Sequence, residues 1–317
     1  MPIEPNEDFI PRNIPPEIQK ILNQYSSVLE ELVNFASVAA IWCTEEVQDE
    51  KLTPLHFSFR HIFELIDAIS VLVKYSCIDP CKILLRSVLE SVLSIKYILE
   101  EDTEKRLKAF MTCTWHQDIN NLRKMNPDDE MHDQFLAKKQ RDKFMRDVAL
   151  PEIPKEEVIE NIEKLKDLLD SSEYRESEIE YKRLKRARCG RKPKWYSMHE
   201  GLADIERLAD HFELPLEYEF RYREWSGLIH GFDIIRTNIV IDDQGIGRIS
   251  QIRSLEYAFD VTKIAVQYGS EIIFPFVEYC APKKFQKVKV LHMKEIEPLI
   301  SSILSKNRII VKEKINK

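Results

Sequence analysis

Glycine is scarce in this sequence. Seven of the 317 residues are glycine, a share of about 2% where about 7% is usual. Folds with many left-handed turns, and sites with glycine-rich phosphate loops, depend on glycine because it adopts positive φ at no steric cost. No Walker-type loop is present, and the Gly-x-Gly at 245–247 lies in a predicted turn. The shortage disfavours a P-loop nucleotide site and favours a predominantly helical protein.

Long uninterrupted apolar stretches are missing as well. The two most apolar stretches, 83–99 and 261–277, are broken by charged residues such as Arg86, Lys96 and Lys263, whereas a membrane helix needs about 20 consecutive apolar residues. The acidic, proline-rich start of the chain does not resemble a secretory signal, so the six cysteines are expected to be reduced thiols. The sequence thus predicts a cytoplasmic protein that makes no membrane contact.

Metal-ligand patterns are absent from the sequence too. Cys77 and Cys81 lie close together, but no second pair of cysteines or histidines follows at the spacing of a zinc finger. No Glu-x-x-His occurs, which disfavours a di-iron site inside a helical bundle. We therefore predict neither a metal nor a cofactor.

The net charge is −7, from 47 basic and 54 acidic side chains, which argues against a surface that is positive everywhere. This average hides a local asymmetry. Residues 152–180 hold eleven acidic and four basic side chains, a net charge of −7, whereas residues 181–194 hold eight basic and no acidic ones, a net charge of +8. A local basic site is therefore compatible with the acidic average.

The sequence contains enough apolar residues, 44% of the chain, to bury a sizeable core. Many of them recur at intervals of three and four, the period of an α-helix. The β-branched runs from Thr237 to Ile252, with turn residues between them, predict a small β-hairpin. The predicted fold is therefore an all-α bundle with a small β-hairpin insert. Its predicted helices are 17 to the mid-forties, 55–76, 81–100, 103–125, 129–147, 197–212, 216–231, 254–279 and 293–305.

The predicted domain organisation has three parts. Five prolines within the first sixteen residues predict an extended arm, because proline cannot continue a helix. The parts are the arm (1–16), a helical domain (17–282) with core helices at about 55–100 and 216–280 and a charged helical insertion at about 103–194, and a basic C-terminal extension (283–317).

Residues 218–231, YEFRYREWSGLIHG, carry the best candidate for a reactive site. Arg223 and His230 are separated by about 700° and about 10.5 Å of rise on a helix, so they share one face. Imidazole transfers protons near neutral pH, and a guanidinium binds phosphate oxygens in a forked geometry, which suits RNA cleavage without a metal. The alternative is structural: Arg223 forms a helix salt bridge and His230 caps the helix before Gly231.

This pattern resembles a known superfamily. The spacing Arg-x6-His on a late helix resembles the HEPN superfamily. Tyr222 to Gly231 also matches the YRxxSxxxHG segment of an uncharacterised bacterial family, which pairs it with RxxxE on an apolar helix, here Arg86 to Glu90. The resemblance covers about 55–100 and 194–280.

The resemblance implies a HEPN-like bundle and a homodimer with a composite cleft. Arg223 and His230 would be the catalytic pair of an endoribonuclease that leaves 2′,3′-cyclic phosphate ends, in phage defence or a toxin-like stress response with an antitoxin or defence-system partner. Many active HEPN motifs have a small polar residue after the arginine, where Glu224 stands here. This departure favours the alternative function, a catalytically inactive HEPN-like module that binds RNA, nucleotide or protein as a sensor or scaffold. A third possibility is a structural oligomer whose interface these residues hold.

The supporting residues of the predicted site are Arg86, Glu90, Ser226 and Tyr222. Arg86 and Glu90 are four residues apart and can pair on one helical face. They either line the cleft, with Arg86 on the phosphate and Glu90 fixing an arginine, or belong to the solvated stripe of an amphipathic helix. Ser226 either hydrogen-bonds the imidazole or the phosphate, or only packs.

The basic segment before the motif helices is a candidate RNA-binding surface, because basic side chains contact RNA phosphates and aromatic rings stack on bases. Two alternatives stay open: residues 152–194 are a long solvated helix that ends in a loop at Gly190 and Pro193, or the basic half docks on the acidic half. The candidate residues are Lys182, Arg183, Lys185, Arg186, Arg188, Arg191, Lys192, Lys194 and Trp195.

Overall fold

The computed structural model describes residues 7, 9–46, 49–151, 153–229, 239–241, 247–253 and 255–304. Helices dominate the described chain, which confirms the all-α prediction. The chain divides into two compact units. The first joins Met1–Glu101 to Ile205–Lys317, and the second is Asp102–Asp204.

The first unit is a helical bundle. Three of its helices precede the second unit, and the others follow it. They are α1 (Pro16–Glu46), α2 (Thr53–Lys74), α3 (Ile78–Glu100), α8 (Ile205–His211), α9 (Pro215–Glu217), α10 (Glu224–Ile229), α11 (Ala258–Cys280), α12 (Phe285–Leu291) and α13 (Glu297–Leu304). Helices α9 and α10 are joined by the π-helical turn Tyr218–Arg223, and α12 and α13 by the π-helical turn His292–Ile296.

The core of the first unit lies between α1, α2, α3 and α11, which pack against one another. Each presents an apolar stripe at helical spacing, and these stripes bury residues such as Leu29, Ile66 and Ile272 completely. Phe59 and Phe276 stack with ring centroids 3.9 Å apart. The sequence predicts that the helix at 216–231 belongs to this core. None of residues 215–223 is buried, however, because the charged side chains of this segment leave it only a narrow apolar face.

Gly269 shows why one of the few glycines is needed in the core. A Cβ atom at this position of α11 would lie 2.9 Å from Ile66 Cδ1 and 2.9 Å from Leu32 Cδ2. Such distances are shorter than van der Waals contact, so any larger residue would push the neighbouring side chains away. The close approach of α11 to α1 and α2 therefore depends on glycine.

Among the described helices, α1 is long and apolar enough to cross a membrane. Core helices of soluble proteins meet the same two criteria, and 39% of its most apolar window is buried inside the protein. Leu22, Tyr25 and Leu32 of this helix are at most 1% exposed. The predicted lack of membrane contact rests on the apolar stretches 83–99 and 261–277 and not on α1, and it stays a prediction.

The described residues of the second unit form four α-helices, α4 (Thr103–Arg123), α5 (Glu130–Arg141), α6 (Lys155–Asp170) and α7 (Arg175–Ala187). Two of them, α4 and α6, enclose one apolar cluster of Ile119, Val158, Ile162 and Leu169. A second cluster joins Ala109 of α4 and Tyr181 of α7 to Met198 of the following loop.

Three helix predictions in this region had wrong boundaries. The helix predicted at 129–147 ends at Arg141. The alternative of one long helix that ends in a loop at Gly190 and Pro193 is wrong in its length, because the segment forms two helices, α6 and α7, separated at 171–174. The helix predicted at 197–212 begins only at Ile205, because His199 and Glu200 have positive φ, which no α-helix accommodates.

Two short strands pair antiparallel in the first unit, Ile239–Ile241 with Gly247–Ile249. The predicted turn between them lies outside the described residues, so the β-hairpin insert stays a prediction. The C-terminal segment is helical from Phe285 to Leu304, apart from its π-helical turn. Val288 and Ile296 are buried, so this half of the predicted basic extension contributes to the core.

Candidate functional site

The motif segment is one helical stretch with an irregular middle. It begins at α9, passes through the π-helical turn Tyr218–Arg223 and continues as α10. Pro215 suits the first turn because proline lacks the N–H group that would be left unpaired there. A π-helical turn accommodates an extra residue and is frequent at functional sites. Here it contains Tyr222 and Arg223, the first two residues of the motif.

Tyr222 faces α3 and contacts both residues of the RxxxE motif. Its hydroxyl donates a hydrogen bond to Glu90 Oε2 at 3.1 Å, and the guanidinium of Arg86 lies 4.0 Å from the centre of its ring. Glu90 Oε2 also lies 3.5 Å from Arg86 Nη1. The structure therefore brings three of the four supporting residues together, with the carboxylate shared between a hydroxyl and a guanidinium.

Arg86 is the cation of this cluster, and it is largely enclosed. Its side chain is 20% exposed, and its Nε is buried without a hydrogen-bond partner among the described residues. The cation over the Tyr222 ring is attracted to the π electrons, which stabilises the contact between α3 and the motif helix. The remaining N–H groups of Arg86 leave donor capacity beyond its pairing with Glu90.

A second polar cluster holds the start of the motif helix against α11. Glu217 Oε2 accepts a hydrogen bond from the Tyr268 hydroxyl at 2.6 Å and pairs with Arg221. Burial, followed by the Glu217 carboxylate, raises the pKa of the Tyr268 hydroxyl above its ordinary value. Tyr268 therefore stays a neutral donor, and the cluster is a fixed attachment of the motif helix.

Arg223 lies on a different face of the motif helix from Tyr222. Its side chain is 68% exposed and pairs with Glu219 at 3.1 Å, and the same carboxylate raises the pKa of Arg223. Within the described part of the chain, its side chain makes no contact with Arg86 or Glu90. The arginine predicted to be catalytic therefore faces solvent and is separate from the cluster on α3.

The second half of the motif is described only in part. Ser226 is half-buried in α10, and Glu224 is exposed beside Arg223. His230 and Gly231 lie outside the described residues. The juxtaposition of Arg223 and His230 therefore stays a prediction.

Two of the predicted RNA-binding residues on α7 are paired with acidic residues of the same helix. Lys182 Nζ lies 2.8 Å from Glu178 Oε1, and Arg183 donates two hydrogen bonds to Glu180, at 2.7 and 2.8 Å. Lys185 and Arg186 occupy the last turn, where the helix dipole favours cations. The charges of Lys182 and Arg183 are therefore compensated within the helix, whereas α7 as a whole keeps a net charge of +2, from five basic and three acidic side chains.

The loop after α7 carries the other predicted RNA-binding cations. Cys189 and Gly190 have positive φ, 53° and 84°, so the chain turns sharply at the end of the helix. Trp195 packs its ring against Phe110, with centroids 5.7 Å apart. The loop lines a cavity of about 710 Å³ formed by Ala187, Arg188, Cys189, Arg191, Lys192, Lys194, Tyr196, Ala203 and Asp204.

The described residues contain no group of three or more histidine, cysteine, aspartate or glutamate side chains that could hold a metal. The prediction that the protein uses no metal or cofactor concerns its chemistry and stays a prediction.

Sequence reasoning missed three residues that pair with side chains of the motif helix or fix its start. Glu217 and Glu219 each precede an arginine by four residues, so the spacing alone would have indicated both ion pairs. Tyr268 is distant in sequence and follows no pattern. Its pairing with Glu217 depends on how α11 packs.

The comparisons with known proteins give a family without a function. No curated protein and no solved structure matches the chain detectably. Residues 52–246 match a family of unknown function, DUF5677, and this range includes both motifs and the second unit. Because the match covers more than half of the sequence, the chain belongs to the DUF5677 family.

Proposed function

We propose that the protein is a metal-independent endoribonuclease of the HEPN type, with a HEPN-like bundle and a small β-hairpin insert. Arg223 would stabilise the scissile phosphate, and His230 would transfer the proton. The observation that carries the proposal is the position of Arg223, 68% exposed at the end of the π-helical turn and seven residues before His230.

The proposed chemistry uses the RNA's own 2′-hydroxyl. The 2′-oxygen attacks the adjacent phosphorus, and the bond from phosphorus to the 5′-oxygen of the next nucleotide breaks. His230 accepts the proton of the 2′-hydroxyl or donates one to the leaving oxygen. Arg223 binds the non-bridging oxygens and stabilises the charge that develops on them. The products are a 2′,3′-cyclic phosphate and a 5′-hydroxyl.

Arg223 is available to bind a phosphate because its ion pair with Glu219 is easily broken. Glu219 is 50% exposed, and exposed ion pairs between residues four apart on a helix contribute little to stability. A phosphate with two free oxygens can form two parallel hydrogen bonds with a guanidinium. An RNA phosphate would therefore displace Glu219 at low cost.

The supporting residues would act by holding the motif helix in place. Arg86, Glu90 and Tyr222 attach the motif helix to α3, and the spare donors of Arg86 would be available to the substrate if the cleft is composite. In a homodimer the two copies of His230 would supply an acid and a base. We place this activity in the cytoplasm, in phage defence or a toxin-like stress response, with an antitoxin or defence-system partner.

The test is cleavage of RNA by the purified protein in EDTA. We expect wild-type protein to produce 5′-hydroxyl and 2′,3′-cyclic phosphate ends, and we expect His230→Ala and Arg223→Ala to be at least about 100-fold slower, the usual contribution of a positioned acid or base. His61→Ala is the matched control, because His61 lies exposed on α2 and should cleave like wild type. Equal cleavage by wild type and His230→Ala would show that the catalytic assignment is wrong.

One observation favours a second function, a catalytically inactive HEPN-like module that binds RNA, nucleotide or protein. Glu219 pairs with Arg223, and Glu224, the next residue in the sequence, is exposed, so this part of the helix carries negative charge that opposes an anionic substrate. Binding of RNA without cleavage over long incubation would support this function and contradict the first.

A further inference from the structure

The cavity beside the loop after α7 concentrates positive charge in an acidic protein. Four basic residues and one acidic residue, Asp204, line it, a net charge of +3, whereas the whole chain carries −7. A concave surface with one sign of charge raises the local concentration of counter-ions. The cavity is therefore placed to attract a polyanion.

These charges are not neutralised by the protein itself. Within the described ranges, Arg188, Arg191 and Lys194 form no ion pair, and Lys192 donates to the neutral amide oxygen of Gln117. The cations of α7 differ, because Lys182 and Arg183 are paired with Glu178 and Glu180. The basic segment thus has a helical half in which two of four cations are paired and a loop half whose charge is available.

The loop is held in place by packing of its flanking residues. Pro193 is buried, and its carbonyl oxygen accepts a hydrogen bond from Cys113 Sγ at 3.8 Å. Tyr196 is 8% exposed and packs its ring against Trp195, with centroids 5.4 Å apart. A loop fixed on both sides loses little conformational entropy when a ligand binds.

We propose that this cavity binds the phosphodiester backbone of single-stranded RNA through Arg188, Arg191 and Lys194. Arginine pairs with phosphate oxygens in a forked geometry, and lysine adds a mobile point charge. The choice of RNA rests on the proposed function, whereas the presence of an anion site rests on the cavity alone. The aromatic rings beside the loop position it, and the affinity comes from charge rather than from base stacking.

The test is binding of a fluorescein-labelled single-stranded 2′-O-methyl RNA to the full chain, measured by anisotropy at several salt concentrations. This RNA cannot be cleaved through its 2′-oxygen, so binding is measured independently of catalysis. We expect the triple variant Arg188→Gln, Arg191→Gln and Lys194→Gln to bind at least roughly tenfold more weakly. Its slope of log Kd against log salt should fall by about 2, because three phosphate contacts are lost.

The matched control removes the same charge from α7. The triple variant Lys182→Gln, Arg183→Gln and Arg186→Gln loses three cations, of which Lys182 and Arg183 are paired within the helix, and glutamine preserves helix propensity. We expect its affinity to stay within about threefold of wild type. Equal losses in the two triple variants would show that the attraction is diffuse, and this result would overturn the proposed site. No loss of affinity in either variant would overturn it as well.

Competition by poly-glutamate that is as strong as competition by RNA of equal charge would indicate that the ligand is an acidic protein, and it would overturn the choice of RNA.

Cys189 offers a second readout, because it is the exposed one of the six cysteines and lines the cavity. Bound RNA should protect it from iodoacetamide several-fold, as followed by mass spectrometry, and the loop variant should show no protection. Unprotected Cys189 under saturating RNA would place the RNA elsewhere. A His230→Ala protein that binds normally would separate this site from the outcome of the cleavage test.

Discussion

Tyr222 has two separate functions in the contact between the motif helix and α3. Its hydroxyl donates to Glu90, while its ring lies under the guanidinium of Arg86. Arg86 Nε stays buried without a partner in the described structure, so the cluster is not fully satisfied. Removal of Glu90, the shared acceptor, should therefore cost more stability than removal of one donor, because it leaves two donors without a partner.

We expect Tyr222→Phe to lower the free energy of unfolding by about 1 kcal/mol, because one partly buried hydrogen bond is lost while the ring remains. Glu90→Ala should cost more, since the Tyr222 hydroxyl and Arg86 then lack their acceptor. The double variant should cost less than the sum of the single variants, with a coupling of about 1 kcal/mol. Urea unfolding of the four proteins measures these values.

A second cycle provides the control. Glu64 pairs with Arg60 on the exposed face of α2, and it shares no contact with Tyr222 in the described structure. Glu64→Ala and Tyr222→Phe should therefore be additive. A coupling near zero in the Glu90 cycle as well would mean that the hydrogen bond to Tyr222 contributes nothing to stability.

The candidate residues differ in how far sequence could predict them. Arg86, Glu90 and Tyr222 were named from motif spacing, and the structure brings them together. Arg223 was predicted to share their cleft, but the turn of the helix between two consecutive residues directs its side chain to solvent. Motif spacing identifies residues, whereas the face that each one occupies depends on the π-helical turn, which has no reliable sequence signal.

At the scale of elements, α4 and α7 are joined by a buried hydrogen bond between an imidazole and a carboxylate. His116 Nε2 lies 2.7 Å from Glu178 Oε2, and the imidazole stacks on Tyr181 with ring centroids 3.8 Å apart. Glu178 is 5% exposed, and its burial raises the pKa of the carboxyl. The hydrogen bonds from His116 and Lys182 outweigh burial and hold this pKa below its ordinary value of 4.5.

The lowered pKa of Glu178 predicts that acid loosens the pairing of α4 with α7. A carboxyl whose pKa is lower in the folded state contributes stability above its unfolded pKa of 4.5, and this stability is lost as the pH falls through the folded value. Amide hydrogen exchange in α4 and α7 should therefore accelerate below about pH 4.5 relative to α2 and α3. Glu178→Gln should exchange faster already at pH 7 and depend less on pH.

Glu176→Gln is the control for this prediction, because Glu176 lies on the same helix and is 77% exposed, so its ion pair with Lys105 of α4 contributes little to stability. It should exchange like the wild-type protein at every pH. An unchanged pH profile in Glu178→Gln would show that the buried carboxylate does not control the acid response of the second unit.

Helix periodicity predicted most elements, and two of the three boundary errors lie where side chains bond to the backbone. The helix predicted at 129–147 stops at Arg141 because the Asp142 carboxylate accepts hydrogen bonds from the N–H groups of Phe144 and Met145, each at 2.9 Å. The break after α6 follows Ser171, whose hydroxyl donates to the Leu168 carbonyl at 2.7 Å. Aspartate and serine are also common in helices, so their local bonding cannot be predicted from periodicity alone.

At the scale of the whole molecule, the two units differ in the kinds of segment that they contain. The first unit contains the motif helix and the large apolar core, and the second contains the acidic and basic segments. The predicted insertion at about 103–194 and the observed unit Asp102–Asp204 differ mainly at the C-terminal end, where Met198 and Ile205 are buried in different units. The charge asymmetry of the sequence indicates where the insertion lies. Its C-terminal end, however, depends on how Met198 and Ile205 pack, which the charge pattern does not indicate.

The second unit is a continuous segment with its own apolar clusters, so we expect the fragment 102–204 to fold alone. Circular dichroism should show helix content and one cooperative thermal transition. Leu169→Ala should destabilise the fragment by about 2–5 kcal/mol, because the side chain leaves a cavity. Leu168→Ala is the control, because Leu168 is 43% exposed and its neighbour Leu169 is 3% exposed. A fragment without a cooperative transition would mean that the first unit is needed to complete its core.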